Sequence, residues 1–128
     1  QSFVSLSLDP PLVAVCPART SSSWPRIRGG GRFCVNVLGA HERGLCERFA
    51  RRGSDRFVDV RWRPGITGAP VLEDVLAWID CDLEAEHEGG DHTIAVGRVR
   101  ALEVADGEMD PLLFYRGGYG AFTPPADD

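Results

Sequence analysis

The chain has 128 residues, 43% of them hydrophobic, and a net charge of −5. That length suits one domain over residues 1–128 with a sizeable core. No apolar run is long enough for a membrane helix. The acidic balance argues against nucleic acid, whose phosphates need clustered cations.

All 14 positive residues are Arg, so any anion held by a side-chain cation is held by a forked guanidinium. Four cysteines, Cys16, Cys34, Cys46 and Cys81, form no CxxC pair, which disfavours zinc. They read as reduced core thiols of a cytoplasmic protein, since buried thiols act as small hydrophobes. The chain opens on Gln1 rather than Met, which implies a trimmed or processed start.

Residues 2–8 alternate with period two, Val4, Leu6 and Leu8 on one face and Phe3, Ser5 and Ser7 on the other, a strand pattern. Asp9-Pro10-Pro11 ends it. The unbroken apolar run 12–16 reads as a strand buried on both sides. Ser21, Ser22 and Ser23 then offer N-cap hydroxyls to a short helix with Pro25 in its first turn, closed by Gly29-Gly30-Gly31. A strand over 32–38 follows, then an amphipathic helix over 41–52 with Leu45, Cys46 and Phe49 on one side.

From 53 to 74, Gly and Pro punctuate a loop, which Phe57 and Trp62 are expected to pin to the body. A long strand follows. It sets Ala77, Ile79, Cys81, Leu83 and Ala85 against a solvated acidic face of Asp80, Asp82, Glu84 and Glu86. The turn at 88–91 returns the chain along a strand from His92 to about Val104. Its apolar parity slips at Gly97, the mark of a bulge. A last strand over 111–115 leads into "RGGYGAF". Strands outnumber helices, and the helices interrupt rather than alternate with them. This suits a small β-barrel with helical insertions.

Three places invite a ligand. Ser5 and Ser7 leave room beside a strand for a flat molecule, or simply face water. Ser21–Ser23 at a helix start, with Arg19 upstream, make a plausible phosphate cradle, without a Walker or GxGxxG sequence. Tyr115, Arg116 and Tyr119 combine a cation, aromatic faces and glycines, or else form a loose C-terminal tail. His92 after its turn could serve a site, or only bond to Asp91. No G-x-S-x-G elbow supports a hydrolytic triad, and His87 beside the acidic strand matches no metal spacing.

In order, "QSFVSLSLDPPLVAVCPARTSSSWPRI", "GRFCVNVL", "ERFA", "DRF", "GAPVLEDVLAWIDC", "GGDHTIAVGRV" and "PLLFYRGGY" resemble the flavin reductase family of split β-barrels. More narrowly, they resemble the reductase components of two-component flavin-dependent monooxygenases, such as the steroid-degrading 3-hydroxy-9,10-seco-androstatriene-dione monooxygenase. The similarity runs from Ser2 to Tyr119.

The resemblance implies a mainly β, FMN-binding split barrel with short helices, lacking the family's N-terminal strands. It implies hydride transfer from NADH or NADPH to FMN or FAD, a homodimer, and a separate oxygenase that receives reduced flavin. By position, Gln1 and Ser2 would touch flavin, and Cys16, Pro17 and Ala18 would edge its ring or ribityl chain. Arg19, Ser21, Ser23 and Trp24 would hold its phosphate end, with Arg48 and Phe49 closing over it. The nicotinamide would fall to His92, which positions the hydride donor, and to Phe114, Tyr115, Arg116 and Gly117, with Tyr119 nearby. A non-catalytic flavin carrier is the alternative. It would have no need of a nicotinamide pocket.

Overall fold

The computed structural model describes residues 2–51, 53 and 55–127; the Gln1 expectation lies outside them. Strands β1 (Phe3–Leu8) and β2 (Pro11–Val15) precede helix α1 (Trp24–Gly30) and strand β3 (Arg32–Val37). A 3-10 turn (Ala40–Glu42) leads into α2 (Arg43–Ala50), so the expected 41–52 helix is split and shorter. Then come β4 (Trp62–Pro64), β5 (Pro70–Leu72), β6 (Ala77–Gly89), β7 (His92–Val104), β8 (Leu113–Tyr115) and β9 (Gly118–Gly120). The segment read as loop-rich carries the β4–β5 hairpin.

Five strands form one antiparallel sheet in the order β1-β2-β7-β6-β3, and β4–β5 and β8–β9 are separate two-stranded ladders. Among the described residues the sheet does not close on itself, in keeping with the expected mainly β split barrel with short helices. β1 is an edge, and its apolar residues stay exposed: Leu8 is 91% accessible. The core lies one strand inward. Val13, Trp24, Phe33, Cys81 and Ala95 are buried together, with Ile27, Val35, Ile79, Leu83 and Val99 packed around them.

The β6–β7 ribbon positions the rest. Its two-residue turn uses Gly90 at φ 72°, a conformation glycine adopts without cost. The register shifts between Asp80 and Cys81 and again between Leu83 and Ala85. The pairing slip expected at Gly97 is present, but the extra residue is Glu84 on the partner strand, and Arg100 makes a second irregularity.

The acidic residues of β6 do not share one solvated face. Asp80 is fully buried, accepting hydrogen bonds from Thr67 N at 3.0 Å and Thr67 Oγ1 at 2.6 Å. Asp82 and Glu84 are ion-paired with Arg100 and Arg98 across the ribbon. Consecutive residues Asp80 and Cys81 are both buried because both faces of β6 are covered here, Asp80 by the Thr67 loop and Cys81 by the Val13, Trp24, Phe33 and Ala95 core.

Candidate functional site

One group of expected site residues gathers at the tip of the β6–β7 ribbon. Thr93 N donates to Pro17 O and Arg19 N to Asp91 O, both at 2.9 Å, and Ala18 bridges His92. These bonds lay the 17–19 segment against the hairpin tip and bring His92 beside Ala18. Ser2 closes the other side. Its hydroxyl bonds both the N–H and the carbonyl of Cys16 at 3.2 Å. His92 Nδ1 lies 2.7 Å from Asp91 Oδ1, and this hydrogen bond holds the Asp91 carboxyl below its usual range.

The serine turn follows directly. Trp24 N donates to Ser21 Oγ at 3.2 Å, and Ser23 makes no side-chain cap. Ser21 therefore fills the capping role, and the Trp24 N–H is engaged rather than open to an anion. Pro25 removes the next donor. Trp24 packs edge-on against Phe33 at 6.2 Å, and its Nε1 donates to Glu86 at 2.9 Å. Glu86 also receives Arg28 Nε on both oxygens, at 2.8 and 2.9 Å. Arg28, first, and Trp24 hold the Glu86 carboxyl below its usual range. Arg19 approaches Glu88 at 3.5 Å.

Ala18, Arg19, Ser21, Trp24, Arg28 and Thr93 line a cleft of about 460 Å³ here. Sequence reasoning did not foresee two members of this neighbourhood. Glu86 had been read as solvated. Arg56 was unassigned, yet its Nη1 donates to Ser23 Oγ. The bulge at Glu84 carries Glu86 onto the face of Ala95 and Trp24, which strict alternation does not show.

A second group lies elsewhere. Asp110 O receives Ala40 N at 2.8 Å, Leu38 O receives Leu112 N at 3.0 Å, and Gly39 bridges Pro111. The β8–β9 hairpin is thus rooted beyond Val37, which pairs with Ala77 at the far end of β6. Both ribbon strands have 13 residues, roughly 40 Å of extended chain at ~3.3 Å per residue.

Phe114 and Tyr119 stack edge-on at 5.2 Å. The Tyr119 hydroxyl donates to Cys46 Sγ at 3.6 Å, which pushes the phenol pKa up, and the Arg43 guanidinium sits 4.9 Å from the Tyr119 ring centre. Tyr115, Arg116 and Gly117 are exposed at the turn, with Arg116 at φ 51°. So the chain itself places Phe114–Tyr119 and His92 at opposite ends of the ribbon.

Helix α2 connects the two regions. Phe57 packs on Phe49 of α2 at 5.1 Å, the pinning expected of it, while Trp62 packs on Phe57 within the same segment at 5.9 Å. Arg48 Nη1 donates to Val58 O, and Arg48 lines a separate cleft of about 490 Å³ with His41, Glu42 and Arg61. Among the described residues no cluster of His, Cys, Asp or Glu is arranged to hold a metal. No helix of the described chain is long and apolar enough to cross a membrane.

Residues 1–123 match the flavin reductase like domain, and the chain belongs to that family. It is 53% identical over 122 residues to a flavin reductase of Pseudomonas putida, covering 95% of this chain and 71% of that protein. It is 49% identical over 124 residues to HsaB of Rhodococcus jostii, named as the reductase subunit of a flavin-dependent monooxygenase, covering 97% of this chain and 63% of that protein. The structure of the Streptomyces globisporus NADH:FAD oxidoreductase SgcE6, in complex with NAD and FAD fragments, superposes with a TM-score of 0.90 at 35% identity over 98% of this chain and 76% of that one.

Proposed function

We propose that the protein is an NAD(P)H:flavin oxidoreductase whose reduced FMN or FAD serves a separate monooxygenase. Family membership together with the meeting of Pro17–Arg19, the serine turn and His92 at one ribbon tip carries the reading. The donor set fits a phosphate-bearing aromatic. Arg19, Ser21 and Ser23 are hydroxyl and guanidinium groups of the kind an anion takes, and the Cys16–Ala18 backbone edge is held flat against the tip. Flavin when bound accepts hydride, and the nicotinamide cofactor supplies it.

The chain's own residues bind and align. Ser2 fixes the Cys16 backbone, and the Pro17–Arg19 strand edge sets the ring's lateral position. His92, oriented by Asp91, offers its Nε2 to a carboxamide or phosphate. No side chain is required as a nucleophile. The gain comes from orientation.

Phe114, Tyr115, Arg116, Gly117 and Tyr119 sit at the other ribbon end. In this reading they meet the nicotinamide of a second copy, which supports a homodimer over a working monomer. Cytoplasmic residence accords with the free thiols of Cys16, Cys34, Cys46 and Cys81.

The test is NADH or NADPH oxidation with and without added FMN or FAD, paired with flavin fluorescence titration. Saturable binding with flavin-dependent oxidation is expected. Binding without oxidation would make the protein a flavin carrier instead.

A further inference from the structure

We infer that Glu88 competes with a bound flavin's phosphate for Arg19, and so sets how tightly the flavin is held. This role presupposes the flavin reading above and deepens it. Two cation–carboxylate pairs line the cleft beside the serine turn, Arg28 with Glu86 and Arg19 with Glu88. The pairs differ in strength. Arg28 Nε reaches both Glu86 oxygens at 2.8 and 2.9 Å, and Trp24 Nε1 donates to the same carboxylate at 2.9 Å. Arg19 meets Glu88 through one contact, Nη2 to Oε1 at 3.5 Å, with the two side chains 51% and 91% exposed.

A single exposed ion pair holds weakly, because water screens it and two long side chains lose freedom in making it. A phosphate offers the guanidinium fork short, charge-assisted hydrogen bonds, which are stronger. The phosphate therefore takes Arg19 from Glu88 and leaves Arg28 with Glu86. The main chain keeps the exchange local. Arg19 N donates to Asp91 O at 2.9 Å, and Glu88 pairs with Thr93, whose N–H donates to Pro17 O. Both backbones are tied to the ribbon tip, so the side chains alone need to move. While paired, Glu88 withholds Arg19 from the phosphate. Once displaced, it remains a like charge at the rim of the cleft. Both effects weaken a phosphate-bearing flavin, and neither acts on the ring system. Loose holding suits a reductase whose reduced flavin leaves for another enzyme.

Fluorescence titration gives dissociation constants for FMN and for riboflavin, which has the same ring system without the phosphate. The proteins are wild type, Glu88→Gln, Glu88→Ala, Arg19→Ala and the double variant Glu88→Gln with Arg19→Ala. Wild type should bind FMN more tightly than riboflavin. Both Glu88 variants should tighten FMN about two- to fivefold, the scale of one exposed ion pair, and leave riboflavin unchanged. Their agreement separates loss of the charge from any contact the glutamine amide makes. In the Arg19→Ala background, Glu88→Gln should lose most of its gain, because the contested cation is gone.

Unchanged or weakened FMN binding in both Glu88 variants overturns the competition. So does equal tightening of FMN and riboflavin, which would mean that Glu88 acts on the ring. An undiminished gain without Arg19 overturns it too. Wild type binding the two flavins equally removes the phosphate subsite, and Glu88's role with it, while sparing the flavin reading. Wild type binding neither overturns that reading as well.

Discussion

His92 shows how one residue can be found in the sequence and only be given work by the fold. Its place after a Gly-Gly-Asp turn was readable, and so was its bond to Asp91, now seen at 2.7 Å. The bridge to Ala18 was not, because it joins segments far apart in the chain. If His92 orients the hydride donor, His92→Ala should raise the Michaelis constant for NAD(P)H several-fold and slow reduction of bound flavin, since misplaced reacting atoms are costly. Flavin affinity should stay within about twofold. Stopped-flow reduction and fluorescence titration check the two halves separately. A purely structural His92 would lower the melting temperature and leave the rates untouched. Ser21, Ser22 and Ser23 were read together as cap hydroxyls; Ser21 accepts from the Trp24 N–H and Ser23 from Arg56. Which of three adjacent hydroxyls turns inward depends on what the backbone packs against, and composition does not carry that.

At the scale of the element, the β6–β7 ribbon was the clearest feature of the sequence and also the place where period-two reasoning failed. Gly97 was taken as a bulge site. The fold adds a second reason for glycine there. A Cβ at Gly97 would stand 2.5 Å from Phe33 Cζ and 3.0 Å from Cys81 Cβ. Phe33 is buried against Trp24, so the ring has little freedom to yield. Gly97→Ala should therefore destabilise by about 1–3 kcal/mol through overpacking, read as a lowered urea midpoint. Because Trp24 touches the displaced ring, its fluorescence should shift in the folded variant. A substitution without effect on the midpoint would mean that the sheet opens at this bulge more easily than its packing suggests. Glu86 belongs to the same element. Alternation grouped it with Asp80, Asp82 and Glu84, but the bulge at Glu84 pairs it with Ala95 on the core face, where Arg28 and Trp24 bind its charge.

For the molecule as a whole, the thiols of the core link folding to pH. Burial, first, pushes Cys34 and Cys81 up to about 12 from 9.0, and for both the nearby Asp80 adds to it. The folded state thus holds protons that the unfolded chain releases above about pH 9. Stability contributed by these groups is fully present below that pH and is lost as pH rises through the folded values. The raised Tyr119 phenol acts in the same direction. Urea midpoints should be flat up to about pH 9 and decline above it, with a shallower decline in Cys34→Ala. A midpoint independent of pH across the alkaline range would contradict this.

The sequence by itself determined the long strands and the two helices, the β6–β7 turn, the Gly31 helix stop and, through its motifs, the family, but not the short β4, β5 and β9 strands. What it determined rests on local periodicity, turn chemistry and residue identity, which one segment can express alone. Tertiary structure alone decided that Asp80 is buried, that Ser21 rather than Ser23 caps α1, and that Arg56 reaches the serine turn. It also decided that His92 and Phe114–Tyr119 lie at opposite ends of one ribbon. Each of these depends on which distant segments share space, and pairing register, bulges and long-range hydrogen bonds are set by packing between segments that no local pattern encodes.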